Sequence, residues 1–318
     1  MKPTLSFVIP VRNSAHLLGP CLDAINAQKA GDVPYEIIVL DNGSTDESAA
    51  VAEAAGARVL VLPDDNVSQL RNRGVSEATA DLIAFVDADN EISSGWCTAV
   101  AEIMRNPEVA ATGTAYSAPD DGTWVTRTGD YMRGHTEGSI KTDWLAAGNL
   151  VIRKPVFESL GGFDTTLETC EDVDLCARIR AAGHEIISDS RLRSVHRGDP
   201  RLLKDVFRGE LWRGRDNLRV SFRHKIKPRD LPSIVFPIII LAAAIVAILM
   251  SLLQPGRAPL FLLGAIAVLL FFALLNAAKT VWQAGTFKPL LALQTVLFSA
   301  TYYAARALAL VWRVGHHR

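Results

Sequence analysis

Beyond Asp230 this 318-residue chain contains no aspartate or glutamate. Residues 231–318 hold six basic side chains and no acid, residues 191–230 hold 13 basic against five acidic, and residues 1–190 hold 14 against 29. The overall charge of -1 therefore conceals an acidic block, a basic block and an apolar tail. In the tail, residues 233–253 and 258–278 are uncharged, and each matches the roughly 20 residues a helix needs to cross about 30 Å of hydrocarbon. Both are predicted to span a membrane. Residues 289–312 form a third apolar segment, interrupted by Gln294, Arg306 and several hydroxyls, so a third span competes with a helix lying in the interface. Tyr302, Tyr303 and Trp312 suit either, because amphipathic rings prefer the headgroup level. The basic residues just before the first span place that side, and the acidic block with it, in the cytoplasm. The expected location is the inner or plasma membrane, with several passes.

Other absences narrow the chemistry. There are four cysteines, Cys21, Cys97, Cys170 and Cys176, without zinc spacing; in the cytosol they are expected to stay reduced and to pack as small apolar residues. The first apolar run, residues 5–11, is too short for a signal peptide. No Gly-x-Gly-x-x-Gly follows that run and no phosphate-cradling Walker loop occurs anywhere, so the dinucleotide and P-loop fingerprints are missing. The Gly-rich basic loop usual in nucleotidyltransferases is missing from the same position.

What is present begins with residues 82–86, Leu-Ile-Ala-Phe-Val, which run directly into Asp87-Ala88-Asp89. Five consecutive apolar side chains suit a strand buried on both faces, as in a parallel sheet covered by helices. Such sheets bind ligands beyond the carboxyl ends of their strands. Asp87 and Asp89 stand there and point the same way if the chain stays extended, and hard oxygen ligands suit Mg²⁺ or Mn²⁺. An Asp-x-Asp also closes ordinary turns, so the surrounding chain has to decide. It supplies three more strands before residue 82: residues 5–11, residues 36–40 running into Asp41, and residues 58–62. Helices are predicted between them: one to about Gln28, one from a capping box over Ser44–Glu47 to Gly56, and one near 67–78 carrying Arg71 and Arg73. This alternation predicts a doubly wound, mostly parallel sheet with carboxylates meeting on one rim.

Further along, a helix over 95–105 and a strand over 109–116 are predicted. Residues 117–143 are polar and aperiodic, which reads as a loop and broken helix over the site, with Trp124, Tyr131 and Trp144 available to stack on a sugar or simply to pin the loop. Residues 149–153 read as a strand, a short helix from Pro155 ends at Gly161-Gly162, and Glu171-Asp172 opens a helix whose Leu175, Ile179 and Ala182 share one face. Residues 185–189 read as a last strand. In the basic segment, Leu203, Phe207, Leu211, Leu218 and Phe222 recur at roughly helical spacing among the charges, which suits helices on an anionic membrane surface. Nucleic acid is not an expected partner, because two spans follow directly.

Taken together, these motifs resemble the family 2 glycosyltransferases of the GT-A fold, over about residues 4–215. Val8-Ile9-Pro10-Val11-Arg12-Asn13 resembles the opening motif, with Arg12 where an aromatic is more usual. Asp41-Asn42-Gly43-Ser44-Thr45-Asp46 resembles the uracil and ribose site, Asp87-Ala88-Asp89 the metal motif, Gly161-Gly162-Phe163-Asp164 the acceptor loop, and Glu171-Asp172 the catalytic acidic pair. The resemblance implies that Pro10, Val11, Asn13 and Asp41 bind the nucleotide sugar, with Arg71 near the diphosphate and Arg197 and Arg213 sharing its charge. Asp87 would touch ribose or metal, Asp89 would hold Mg²⁺ or Mn²⁺, and His196 resembles a late histidine that reaches the metal or phosphates. Asp172 would be the base, with Glu171 assisting.

The expected layout is an α/β GT-A domain at 1–200, a basic interfacial helical segment at 201–230 and a membrane domain at 231–318. The implied activity is inverting, metal-dependent transfer of a sugar, by the uracil motif from a UDP-sugar, to a hydroxyl of a lipid or lipid-linked glycan in cell-envelope or exopolysaccharide synthesis. Processive members carry Gln-x-x-Arg-Trp before their spans; the nearest stretch here, residues 207–215, lacks that Gln, which argues against a long-chain synthase. A polyprenyl-phosphate glycosyltransferase and an inactive nucleotide-sugar-binding scaffold stay open as alternatives.

Overall fold

In the parallel core of the main sheet, alternate side chains of each strand enter opposite apolar layers. The computed structural model describes residues 4–30, 33–135, 137–224, 226–283 and 288–312. The chain divides into two units, one of residues 1–120 and 134–199, the other of residues 121–133 and 200–318.

The first unit opens with β1 (Leu5–Val11), α1 (Ala15–Asn26), β2 (Tyr35–Asp41), α2 (Ser48–Ala54), β3 (Arg58–Val61), α3 (Val67–Glu77) and β4 (Leu82–Val86). It continues with β5 (Asn90–Ile92), α4 (Trp96–Ile103) and β6 (Val109–Gly113). After α5 (Trp124–Arg133), which belongs to the second unit, come β7 (Ser139–Lys141), β8 (Asn149–Arg153), α6 (Lys154–Ser159), α7 (Glu171–Ala181), β9 (Glu185–Asp189) and β10 (Ser194–His196).

The main sheet has the order β3-β2-β1-β4-β8-β6-β9-β7, and β10 pairs separately with β5. Strands β1 to β4 are parallel, β8 runs antiparallel between β4 and β6, and β7 is an antiparallel edge. Leu5, Phe7, Ile9 and Val11 of β1 pack with α1 and α4 through Leu18, Leu22, Trp96 and Val100. Val8, between them, enters the opposite layer with Leu70 of α3, Phe157 of α6, and Leu175 and Ile179 of α7. Register places Val11 opposite Asp41 and Val8 opposite Phe85, so the 87–89 segment emerges level with the end of β1.

Several expectations need correction. The predicted capping box over Ser44–Glu47 does not form; α2 starts at Ser48, and Asp46 Oδ1 accepts from the Ser48 backbone and hydroxyl. A capping box occurs instead at α3, between Asn66 and Gln69. Ala182 lies outside α7 and is exposed, since Gly183 at φ 86° ends that helix. Strand β6 stops at Gly113, short of the expected Tyr116, and a Cβ on Gly113 would come within 2.1 Å of Asn149 O. The 117–143 segment holds a ten-residue helix and an edge strand in place of a broken helix.

The second unit comprises α5 with α8 (Leu203–Arg213), α9 (Asn217–Arg223), α10 (Leu231–Leu253), α11 (Ala258–Gln283) and α12 (Pro289–Ala309). Lys225 of the basic segment lies outside the described residues. Two stretches, Leu231–Leu253 and Pro255–Trp282, are long and apolar enough to cross a membrane. Their outward faces expose Leu249, Leu252, Leu253, Leu263 and Phe271, which a core helix of a soluble protein would bury. Helix α12 packs on α10 and α11 through Tyr303, Phe236 and Phe272, and Asn276 Nδ2 donates to Ser299 Oγ across α11 and α12. Arg306 of α12 donates through Nε to buried Glu210 of α8 at 2.8 Å, and Arg213 donates to the other oxygen of the same carboxylate. Burial alone would raise the Glu210 carboxyl, but the two guanidinium charges hold it below its ordinary value.

A close approach between α3 and β1 supplies a stability test. A Cβ on Gly74 would fall 2.3 Å from Val8 Cγ1, on a strand side chain with no room to withdraw. Gly74→Ala should therefore lose about 1–3 kcal/mol to overpacking, outweighing the ~1 kcal/mol that alanine gains in a helix. Differential scanning fluorimetry of the detergent-solubilised chain would read this as a lower melting temperature.

Candidate active site

The carboxyl ends of β1, β2 and β4 bring three expected motifs together. Asp41, at the end of β2 and buried, accepts the Ser44 backbone N–H at 2.9 Å. Asn13 adopts φ 47°, and its side-chain oxygen accepts from Thr45 N at 2.7 Å, while Asn42 Nδ2 donates to the carbonyls of Leu62 and Asp65. Asn13 is thereby tied to the loop after Asp41, and Val11 O accepts Asn42 N at 2.9 Å.

Beyond β4 the two aspartates part. Asp87 faces Arg71, whose Nη2 donates to its Oδ1 at 2.8 Å, while Arg71 Nη1 donates to Glu171 Oε1 at 2.7 Å. Arg71 is 4% exposed, and its guanidinium lies 5.6 Å from the ring centre of Phe163. Arg71, expected near the diphosphate, bridges two carboxylates in this structure. Their charges raise its pKa further despite burial, so it stays cationic throughout the working pH range.

Asp89 turns toward His196, with Oδ2 3.3 Å from Nε2. His196 Nδ1 lies 2.9 Å from Asp199 Oδ1, and the ring stacks on Tyr116 at 4.8 Å. Burial favours the neutral imidazole, yet the Asp199 hydrogen bond and the charges of Asp89, Asp199 and Asp87 win, and the pKa rises. Asp89 is raised as well, by burial and by Asp87, against the pull of His196.

Glu171 and Asp172 stand at the first turn of α7. The preceding Cys170 has φ 61°, a left-handed conformation that costs a non-glycine residue about 1–3 kcal/mol and concentrates at functional sites. Asp172 accepts Ala147 N at 3.2 Å and Val173 N at 2.8 Å. Burial, then the neighbouring Glu171 charge, push its pKa up from 3.8 to about 7, with Arg71 and the two N–H donors opposing. The folded chain holds this proton more tightly than the unfolded chain does. Its contribution to stability therefore falls as pH rises from 3.8 toward about 7.

The loop before β8 ties these groups together. Ala147 N meets Asp172, while Gly148 O accepts from Asp87 N and Asn90 Nδ2. A Cβ on Gly148 would fall 2.2 Å from Asp87 Oδ2, and one on Gly198 would fall 1.9 Å from Asp89 Oδ2. Sequence reasoning missed Asn90, Tyr116, Ala147 and Asp199; Asp199, three residues from His196, carried the one readable signal. Arg197 forks onto Glu91 at 2.6 and 3.3 Å. Arg213 belongs to the second unit, on Glu210.

Among the described residues no three His, Cys, Asp or Glu side chains converge on one point as a metal cage. Asp89 and His196 nonetheless fit a divalent ion that takes its remaining ligands from a phosphate-bearing substrate and water, as Mg²⁺ commonly does. Asp199 supplies the outer carboxylate typical of a metal-bound histidine.

Acid-tipped parallel strands with an antiparallel neighbour at β8 and an acidic pair opening a facing helix define a GT-A-like fold. A mannosyltransferase from Pyrobaculum calidifontis, solved with GDP-Man and Mn²⁺, superposes over 97% of this chain and 88% of its own with a TM-score of 0.60 and 18% identity. Residues 6–160 match the family described as glycosyl transferase family 2, and the chain carries a domain of that family. Its relatives include the glycosyltransferase AglE of Haloferax volcanii, 28% identical over 65% of this chain and 71% of that protein. The O-antigen biosynthesis protein RfbC of Myxococcus xanthus is 28% identical over 61% of this chain, but the match spans 17% of that longer protein.

The bridge at Arg71 generates a direct test. Arg71→Met leaves two carboxylates without their shared cation and should cost about 3–5 kcal/mol, seen as a large fall in melting temperature.

Proposed function

We propose that this chain transfers a glycosyl group from a nucleoside-diphosphate sugar to a hydroxyl of a lipid or lipid-linked glycan, at the cytoplasmic face of a membrane and with inversion. The observation that carries this is Asp172, a carboxyl pushed up to about 7 whose neighbour Glu171 is linked through Arg71 to Asp87. A base with a proton affinity near the working pH is effective in general-base catalysis. As the acceptor oxygen bonds to the anomeric carbon, its proton passes to Asp172. The bond from that carbon to the diphosphate breaks, releasing the nucleoside diphosphate. One displacement assisted by a base inverts the anomeric centre.

Asp41 would accept from the nucleobase, Pro10, Val11 and Asn13 would line its pocket, and Asp87 would meet the ribose. Arg197 would exchange Glu91 for the diphosphate. Asp89 and His196 would hold Mg²⁺ or Mn²⁺, which when bound neutralises the diphosphate and stabilises its departure. Such a cation is needed, because residues 1–190 carry 29 acidic against 14 basic side chains and would otherwise repel the donor. The Mn²⁺ and GDP-Man in the Pyrobaculum neighbour and the O-antigen role named for the Myxococcus relative support this reading. The resemblance at Asp41 favours uridine as the donor nucleoside, and the Pyrobaculum complex adds guanosine to the donors worth testing.

Membranes containing the protein, given labelled UDP- and GDP-sugars with Mg²⁺ or Mn²⁺, should yield labelled lipid, and chelation should abolish the label. Asp172→Asn should slow transfer by about 10²–10⁴-fold with donor affinity nearly unchanged; full turnover would remove Asp172 from its role. For the native chain kcat/KM should rise with pH and level off above about 7, where Asp172 is ionised. Asp89→Ala should weaken donor binding in calorimetry only when metal is present.

A further inference from the structure

We infer that the second unit holds a site for the phosphate-bearing head of a membrane lipid, between α5 and the first turns of α12. Trp124, Arg127, Thr128 and Tyr131 recur at the three- and four-residue spacing that shares one helix face. With Leu291 and Gln294 of α12 they line a groove of about 340 Å³, within the size range of small-ligand sites. Its frame is packed: a Cβ on Gly129 would lie 3.3 Å from the Phe298 ring, and the hydroxyls of Thr123 and Thr126 donate to the carbonyls of Arg201 and Pro200.

The polar groups of the groove ask for an anion. Arg127 is exposed and its guanidinium has no carboxylate partner among the described residues, whereas Arg201 nearby is held by Asp121. The Gln294 amide has no partner among the described residues either, and no acid lines the groove. Trp124 and Tyr131 are 37% and 39% exposed, the half-wet placement of rings at a headgroup level.

The surroundings ask for hydrocarbon. Beside the groove α12 exposes Leu290, Leu293 and Leu297, and it packs on α10 and α11, whose stretches are long and apolar enough to cross a membrane. A soluble anion would leave those leucines in water, and an uncharged lipid would leave Arg127 without a counter-charge. An amphiphile with a phosphate head satisfies both.

The test uses the full chain in dodecyl maltoside micelles, which carry no phosphate. Two photoactivatable probes with identical diazirine-bearing tails are compared, phosphatidic acid and diacylglycerol, and crosslinks are mapped by mass spectrometry. Phosphatidic acid should label residues 124–131 and 290–297 well above diacylglycerol. Excess unlabelled phosphatidic acid should compete, and equal inorganic phosphate should not. Arg127→Gln should reduce phosphatidic acid labelling about tenfold, the loss of one charged hydrogen bond, while Arg127→Lys retains most of it. Unchanged donor binding would show that the variants fold. Equal labelling by both probes, blockage by inorganic phosphate, or indifference to Arg127→Gln would each overturn the site. Sugar transfer assayed in parallel separates the two proposals: labelling without transfer removes the transferase reading alone, and transfer without labelling removes this groove alone.

Discussion

Arg71 is the cation on which the first unit's acidic rim depends. Asp87, beyond β4, and Glu171, on α7, each take one of its terminal nitrogens. Bringing two carboxylates into a half-dry site costs several kcal/mol per ion unless a counter-charge is shared. A guanidinium suits this because its fork presents donors in two directions and does not lose its proton. Lysine, a point charge on a flexible stem, would serve one partner at a time. Phe163, from the Gly161-Gly162-Phe163 turn, lies against Arg71, and Asn72, one residue on, bonds both N–H and C=O of Phe163. One residue of α3 thus ties together the metal-motif strand, the acidic helix and the turn that resembles an acceptor loop.

Much of this was legible because strands and their ends follow from local pattern. Residues 82–86, 149–153 and 185–189 fold as expected, since unbroken apolar runs bounded by polar residues have few other outcomes. The antiparallel sense of β8 was not legible, because local sequence is silent about direction. The bridge made by Arg71, expected near the diphosphate, was not legible because its two partners lie 16 and 100 residues away. Ser44 to Glu47 fits a capping box in letters, but Asp46 reaches the first free N–H sooner. The 117–143 segment lacks helical periodicity as a whole, and the stretch 124–133 packs on α12, some 165 residues on.

The second unit shows the same limit at α12. Arg306 argued against a third span, since an isolated guanidinium in hydrocarbon is costly. The fold supplies Glu210 from α8, 96 residues away, at 2.8 Å, with Arg213 on the other oxygen. A charge on α12 is thereby tolerated. The triad also gives Arg213 a structural task of its own.

The chain crosses between the two units three times, near residues 120, 133 and 199. The first unit is consequently discontinuous in sequence, and α5 is a loan from it to the second unit. A fragment cut at residue 199 would keep its sheet and carboxylates, yet it would carry α5 without α12, leaving Gly129 without the Phe298 ring that faces it. For a protein so built, the first unit cannot be inherited, expressed or exchanged as a clean module: recombination that swaps the tail must also match the ten residues of α5.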